Sequence, residues 1–177
     1  AAIAIDEVGI FNRELLSTEI QDIYNAGSAG RCNIVSTSRT LTVSMAGNGI
    51  GGVGSTPPGI ACGMDCSEVY DLGTVVMLMP GPDAGSNFSG WSGDADCLDG
   101  MVTMDTDKNC IATFTKPTLT VSMNGNGIGG IGSTPSGIAC GMDCSEVYDL
   151  GTVVMLMPGS DAGSNFSGWS GDADCLD

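Results

Sequence analysis

The sequence contains no histidine and very few cationic residues, and both absences narrow its function. Without histidine the chain lacks the commonest general base and the commonest zinc ligand, and it holds no Cys-x-x-Cys-His haem attachment site. Five Lys and Arg stand against 21 Asp and Glu, so the formal net charge is −16. Because phosphate binding needs clustered cationic side chains, nucleic acid is excluded as a partner. We interpret the acidity as a solvated surface that resists aggregation, with cation binding as the alternative.

Long apolar runs and catalytic motifs are absent as well. No hydrophobic segment reaches the roughly 18 residues that a membrane-spanning helix needs. The sequence has no Gly-x-Ser-x-Gly elbow, no Walker loop and no His-Glu-x-x-His helix. We therefore expect a non-enzymatic protein without a membrane span and with no required cofactor.

The chain is built mainly from a repeat. Residues 40–99 align with residues 118–177 at an offset of 78 and differ at only four positions. Self-similarity at a fixed period is typical of arrays of one structural unit, which favours a binding or building role over catalysis. A unit of this size hides only about 60% of its unfolded surface, so we expect covalent cross-links.

Each repeat is predicted to be all-β and antiparallel, because short apolar segments recur between Gly and Pro turns. Residues 1–33 differ in kind. Residues 4–11 alternate as a strand, and a short helix should follow, with Leu16, Ile20, Ile23 and Tyr24 on one face. Ser17 or Thr18 is expected to cap this helix, and residues 34–39 form a polar linker.

The N-terminal segment resembles a known domain. The stretches 5–15, 19–27 and 30–32 are similar to the C-terminal end of a laminin-G-like (concanavalin A-like) jelly-roll domain. That resemblance implies that residues 1–33 are the closing strand and tail of a two-sheet sandwich.

The repeat resembles another family. Its motifs include Leu41-Thr42-Val43-Ser44, Asp65-Cys66-Ser67-Glu68, Tyr70-Asp71-Leu72-Gly73-Thr74 and Phe88-Ser89-Gly90-Trp91-Ser92-Gly93. These are similar to the divergent internalin-B B-repeat family. The resemblance implies β-grasp-like modules at residues 40–116 and 117–177, strung in tandem on secreted or surface proteins. It also implies roles in spacing, adhesion and self-association, with no known catalysis.

The cysteines fit this extracellular setting. With no histidine and a surface-type sequence, we expect disulfides rather than a four-cysteine zinc site, and hence an oxidising compartment. The predicted pairs are Cys62 with Cys66, Cys97 with Cys110, and Cys140 with Cys144. Cys32 and Cys175 have no obvious mates within the chain, so they are candidates for a disulfide between subunits.

Two further kinds of site are suggested by the polar residues. Asp94, Asp96 and Asp99 place three carboxylates in one turn, which predicts either a calcium site or an ordinary acidic turn. Asn87 and Asn165 begin Asn-x-Ser sequons at equivalent places, which makes them candidate glycosylation sites.

The methionines suggest an assembly surface. Residues 75–79 are apolar throughout, whereas a half-buried strand should alternate. We expect a face that packs against another module or subunit, with scattered exposed methionines as the alternative. The predicted face contains Met45, Met77, Met79, Met123, Met155 and Met157.

These features lead to one preferred function and two alternatives. Counterparts of residues 100–116 would follow Asp177, so module 2 should expose an unpaired sheet edge, which is a template for strand addition. We hypothesise that residues 1–11 of a neighbouring subunit pair with that edge and bring Cys32 near Cys175. The preferred function is therefore the subunit of an extracellular filament. The alternatives are a stalk that presents a glycan-binding domain and the spacer of a secreted hydrolase.

Overall fold

The computed structural model describes residues 13–26 and 37–175. The chain falls into two compact units, Ala1–Ser38 and Arg39–Asp177. In the first unit, helix α1 spans Ser17–Ala26, as predicted. The strand predicted at residues 4–11, most of the predicted linker and Cys32 lie outside the described residues.

The start of helix α1 is capped differently from our expectation. The Leu16 N–H donates to a Glu19 carboxylate oxygen at 2.7 Å, and Arg13 donates to the same oxygen at 3.0 Å. Ser17 is the first helical residue rather than the cap. The Arg13 hydrogen bond, followed by the Leu16 N–H, lowers the pKa of Glu19 to about 2. The carboxylate of Glu19, in the first turn, thus caps the start of the helix, where a serine or threonine hydroxyl was expected.

Residues 38–115, here called module 1, form two four-stranded sheets. The first sheet has the order β4-β1-β8-β6 and the second β3-β2-β5-β7. A 3₁₀ turn at Ala95–Cys97 precedes β7. The strands are β1 Ser38–Ala46, β2 Gly51–Thr56, β3 Ala61–Cys62, β4 Ser67–Asp71, β5 Val75–Pro82, β6 Asn87–Gly93, β7 Met101–Thr103 and β8 Lys108–Thr115.

Strands β1 and β8 pair in parallel, which departs from the antiparallel prediction. Their register runs from Leu41 opposite Lys108 to Ala46 opposite Thr113. A parallel pair needs a long connection, and here the whole of the module lies between the two strands. The β8 strand therefore occupies the middle of its sheet and holds β1 and β6 together.

The core of module 1 contains buried residues from both sheets. On β1 and β8 the buried residues alternate with more exposed ones, as a sheet with one buried face requires. The members are Leu41, Val43, Val53, Ile60, Cys62, Tyr70, Val76, Leu78, Cys97, Val102, Met104, Cys110, Ala112 and Phe114. Residues 101–115, here called the 101–115 segment, contain β7 in one sheet and β8 in the other, and they provide a large share of the core.

Residues 118–175, here called module 2, contain fewer and smaller sheets. They are a three-stranded sheet, β11-β10-β13, and a two-stranded sheet, β12-β9. The strands are β9 Thr118–Thr120, β10 Gly129–Thr134, β11 Ala139–Cys140, β12 Ser145–Val147 and β13 Met155–Ser160. The prediction of all-β tandem repeats is confirmed.

Candidate functional site

The three disulfides predicted within the modules are present. The Cα atoms are 4.2 Å apart in Cys62–Cys66 and 4.3 Å apart in Cys140–Cys144, and 5.5 Å apart in Cys97–Cys110. The six sulfurs are therefore unavailable as zinc ligands. Cross-links of this kind fit an extracellular location.

Cys175 is a free, partly exposed thiol, whereas its counterpart Cys97 is bonded and fully buried. The partner of Cys97 is Cys110 on β8, and the described residues of module 2 contain no counterpart of that strand. The suggested pairing of Cys175 with Cys32 stays a prediction, since Cys32 is outside the described residues.

The acidic turn of module 1 is engaged in structural hydrogen bonds. Its carboxylates accept hydrogen bonds from backbone N–H groups of the 101–115 segment. Asp94 accepts from Asn109 at 2.7 Å, Asp96 from Thr103 at 2.6 Å, and Asp99 from Met101 at 2.9 Å. Lys108 also lies 3.5 Å from Asp96. Within residues 13–26 and 37–175 no group of three acidic or cysteine side chains could hold a metal ion. The geometry therefore favours the acidic-turn interpretation over calcium.

The sheet β3-β2-β5-β7 has an unusual outer face. None of its four strands contains a charged residue, although the chain carries a net charge of −16. On β5 the buried Val76 and Leu78 alternate with the half-exposed Val75, Met77 and Met79. Met101 lies directly opposite Met77 on β7 and is also half-exposed. We call Val75, Met77, Met79 and Met101 the methionine face.

Module 2 repeats most of this face. Its sheet β11-β10-β13 also contains no charged residue. Met155 and Met157 are exposed on β13, as is Val153 just before that strand. Val75, Val153 and Met101 were not part of the predicted face. The lack of charge along whole strands was the signal that could have revealed the valines.

Met45 does not belong to the methionine face. It lies near the end of β1, in the other sheet, and shares the alternation phase of the buried Leu41 and Val43. Its counterpart Met123 is exposed and lies outside the described strands. The predicted six-methionine surface is therefore reduced to the four methionines of β5 and β13, with Met101 added.

Two contacts join the modules within the second unit. The Lys116 ammonium lies 2.7 Å from the Asp149 carboxylate, and the Leu150 N–H donates to the Gly85 carbonyl at 2.8 Å. The ion pair is partly exposed and so contributes little to stability. Asn87 and Asn165 are both exposed, and their glycosylation stays a prediction.

Module 2 has open space where module 1 is filled. One cavity of about 490 Å³ is lined by Leu119, Leu156, Trp169 and Cys175, among others. Another of about 450 Å³ lies along residues 122–131 and 158–170.

Comparison with known families gives a match over most of the chain. Residues 40–118 and 119–177 each match the divergent InlB B-repeat domain. No curated protein and no solved structure matches the chain. The jelly-roll resemblance of residues 1–33 has no such support. Among the described residues, no helix is long and apolar enough to cross a membrane.

Proposed function

The chain belongs to the divergent InlB B-repeat family, and on that premise we propose that it is a non-enzymatic structural protein that self-associates into an extracellular filament. Membership in this family fits an extracellular surface protein. The disulfides support the same location, because they persist in oxidising compartments.

The observation that carries the self-association is the uncharged sheet with its methionine face. An acidic protein gains solubility from mutual repulsion, and a whole sheet without charge removes that protection locally. Half-exposed Met and Val side chains on adjacent strands form a contiguous apolar surface, which marks interaction sites in soluble proteins. Burying that surface against another copy stabilises association by roughly 25 cal/mol for each Å² of apolar area removed from water.

The partner is a second copy of this chain. Other surfaces of a chain with net charge −16 repel each other, so two copies approach most easily through the surface that has no charge. The outer strands β3 and β7 are only two and three residues long, which disfavours pairing through the edges. Because the face occurs in both modules, each subunit has two contact surfaces, and a head-to-tail contact that does not close forms a fibre.

Replacing the central methionines tests this function. The variant Met77→Thr, Met79→Thr, Met155→Thr, Met157→Thr should stay folded, because these side chains point away from the core and Thr is a good strand former. Light scattering and electron microscopy should then show fewer or no filaments.

The matched control is Met64→Thr with Met142→Thr. Both methionines are 98% exposed in turns and belong to no sheet face, so their replacement should leave assembly unchanged. Normal filaments from the four-methionine variant would reject the proposal. Loss of thermal stability without loss of assembly would show that the face packs within the subunit.

A further inference from the structure

The two modules are joined by a connection of two residues. Strand β8 ends at Thr115 and β9 begins at Thr118, so only Lys116 and Pro117 lie between them. The proline ring fixes its own φ angle, which removes one of the few rotations that so short a connection could use. The modules also cannot move far apart, because an extended residue spans at most about 3.6 Å.

Each end of the connection is bonded to the module beside it. On the side of module 1, the Lys116 N–H donates to the Asn48 side-chain oxygen at 2.9 Å. On the side of module 2, the Tyr148 N–H donates to the Pro117 carbonyl at 3.0 Å. The backbone of the connection is therefore held by both modules, which distinguishes it from a flexible linker.

Two tight turns meet across this connection. The turn of residues 83–86, here called the 83–86 turn, belongs to module 1, and the turn of residues 149–152, here called the 149–152 turn, belongs to module 2. The Leu150 N–H donates to the Gly85 carbonyl at 2.8 Å, so a backbone donor of one module has its acceptor in the other. Because a hydrogen bond weakens steeply when its distance or angle changes, this contact favours one arrangement of the two turns.

The glycine at the centre of the contact has no room for a side chain. A Cβ on Gly85 would lie 2.5 Å from Asp149 Cγ and 2.7 Å from Asp149 Cβ. Since Asp149 Cβ is attached directly to the backbone, rotating the carboxylate alone would not relieve the clash. Gly163 is the counterpart of Gly85 in module 2 and has nearly the same φ, +85° against +82°, but among the described residues an added Cβ there would meet no atom within 4 Å. The close approach is therefore a property of the contact between modules and not of the turn itself.

The repeat contains both halves of this contact. Residues 71–74 have the same sequence as residues 149–152, and residues 161–164 have the same sequence as residues 83–86. Each copy of the repeat therefore has a turn of either kind to present to a neighbouring copy.

We propose that the 83–86 turn of one module and the 149–152 turn of the next form a joint that holds consecutive copies of the repeat in one orientation. The partner of each turn is the neighbouring copy of the repeat, recognised through the Gly85 carbonyl and the close approach that a glycine permits. Domains with a small contact usually move independently, so this joint also depends on the two-residue connection that keeps the turns together. The proposal does not rest on filament formation, because neither turn belongs to the methionine face. Such a joint makes a tandem array a stiff spacer.

Residual dipolar couplings of the whole chain test the proposal. When two modules form one body, a single alignment tensor describes the couplings of both, whereas independent modules need two tensors. The unchanged chain should give a single tensor in low salt and in molar salt alike, because the partly exposed Lys116–Asp149 ion pair contributes little. Measurement on the monomeric chain in dilute solution keeps self-association out of the result.

The first variant adds a methyl group to the joint. Gly85→Ala should give two tensors, because its Cβ displaces the 149–152 turn. The matched control is Gly163→Ala, which places alanine at almost the same positive φ in the same Asp-Ala-Gly-Ser sequence. The control should keep the single tensor.

The second variant removes the hydrogen-bond donor. Leu150 precedes Gly151, whose φ is +85°, and this geometry is typical of a type II turn, which accepts proline at the position of Leu150. Leu150→Pro should therefore keep the turn, lose the hydrogen bond to Gly85 and give two tensors. Its control is Leu72→Pro in the matching turn of module 1, where no hydrogen bond from the Leu72 N–H is seen among the described residues. This control should keep the single tensor.

Three results would overturn the proposal. They are two tensors in the unchanged chain, a single tensor in either Gly85→Ala or Leu150→Pro, and two tensors in either Gly163→Ala or Leu72→Pro. The last result would mean that the turns matter to their own module and not to the joint. Amide chemical shifts of β2 and β10 that stay at their native values will show that both modules of each variant are folded.

Discussion

Modules 1 and 2 have nearly the same sequence over 60 residues but do not have the same structure. Strand β1 is nine residues long, whereas its counterpart β9 is three. The segment that matches β6 forms no strand in module 2. The structural difference coincides with the 101–115 segment, which packs in module 1 and has no counterpart among the described residues of module 2.

The half of each module that is closed by local contacts is the same in both. Ser55 lies 2.9 Å from the Tyr70 hydroxyl and accepts the Ile60 N–H at 3.0 Å. In module 2 the corresponding Ser133 and Tyr148 oxygens are 3.0 Å apart. The short-loop disulfides and the β2–β3 and β10–β11 pairings also match. Contacts between residues close in sequence are therefore the same in both modules, whether or not the 101–115 segment is beside them.

The half of module 1 that contacts the 101–115 segment differs in structure from the corresponding half of module 2. Val76 is fully buried beside Val102, but its counterpart Val154 is partly exposed. Leu78 donates its N–H to the Gly100 carbonyl, and no bond of this kind is seen for Leu156 among the described residues. The comparison teaches that the same strand sequence becomes regular only where a distant segment supplies its hydrogen bonds and its apolar cover.

Removing the Phe114 side chain of strand β8 should make the structure of module 1 resemble that of module 2. Phe114 is almost fully buried and its ring packs at a tilted angle against Phe88, so Phe114→Ala is expected to destabilise module 1 by about 3–5 kcal/mol. Hydrogen exchange followed by NMR should show Val76 and Leu78 losing protection toward the level of Val154 and Leu156.

Phe166→Ala in module 2 is the control for this change. Phe166 contacts Trp169 edge to face and is 40% exposed, so its loss should cost only about 1 kcal/mol. Equal losses of unfolding free energy in the two variants would contradict the idea that the 101–115 segment stabilises the sheets of module 1.

The disulfides sharpen the same comparison. Removing Cys97–Cys110 opens a loop with a sequence separation of 13 and should cost about 3 kcal/mol in the chain-entropy description. Removing Cys62–Cys66 or Cys140–Cys144 should cost about 2 kcal/mol each, because both loops have a separation of 4. Paired Cys→Ala variants can be compared by chemical denaturation with module-specific fluorescence.

The equality of the two short loops is the part of this prediction that is most easily broken. If the Cys140–Cys144 bond contributes much less to the free energy of unfolding than Cys62–Cys66 does, then the short disulfide loop also depends on contacts with the 101–115 segment. Peptide mapping of the unreduced chain should first identify all three bonds.

The smallest expected effect concerns an ion pair of module 1, in which the Lys108 ammonium lies 2.7 Å from the Asp105 carboxylate. A hydrogen bond from Lys108 lowers the pKa of Asp105 below its usual 3.8, and the same bond raises the pKa of Lys108 above 10.5. The stabilisation is therefore present between about pH 4 and pH 10. It is lost as the pH falls through the lowered pKa of Asp105 or rises through the raised pKa of Lys108.

Acid titration of Lys108→Met should reveal this pair. The free energy of unfolding of module 1 should decrease as the pH falls through the lowered pKa of Asp105, and the variant should show a smaller decrease. The titration of module 2 should be the same in both proteins. An identical acid profile for module 1 in the two proteins would show that the partly exposed pair contributes nothing measurable.

Much of the fold could be predicted because its signals are local. The helix with Ile20 and Ile23, the all-β repeats and the Cys62–Cys66 pair depend on residues a few positions apart. The parallel pairing of β1 with β8 could not be predicted, since it joins segments almost a module apart. The hydrogen bond of Asp96 and the place of Met45 could not be predicted for the same reason: the first depends on Thr103 and the second on which sheet contains β1.

The sequence by itself determined the repeat, the acidic charge, the cysteine pairs and the places where the chain turns, because each depends on composition or on short spacing. Only the tertiary structure decided that β8 pairs in parallel with β1, that β7 and β8 lie in different sheets, and that both cover the core of module 1. The physical reason is that a strand has no internal hydrogen bonds to complete its backbone. Its order depends on the neighbour that supplies them, and residues 101–115 are that neighbour for β5, β1 and β6 in module 1.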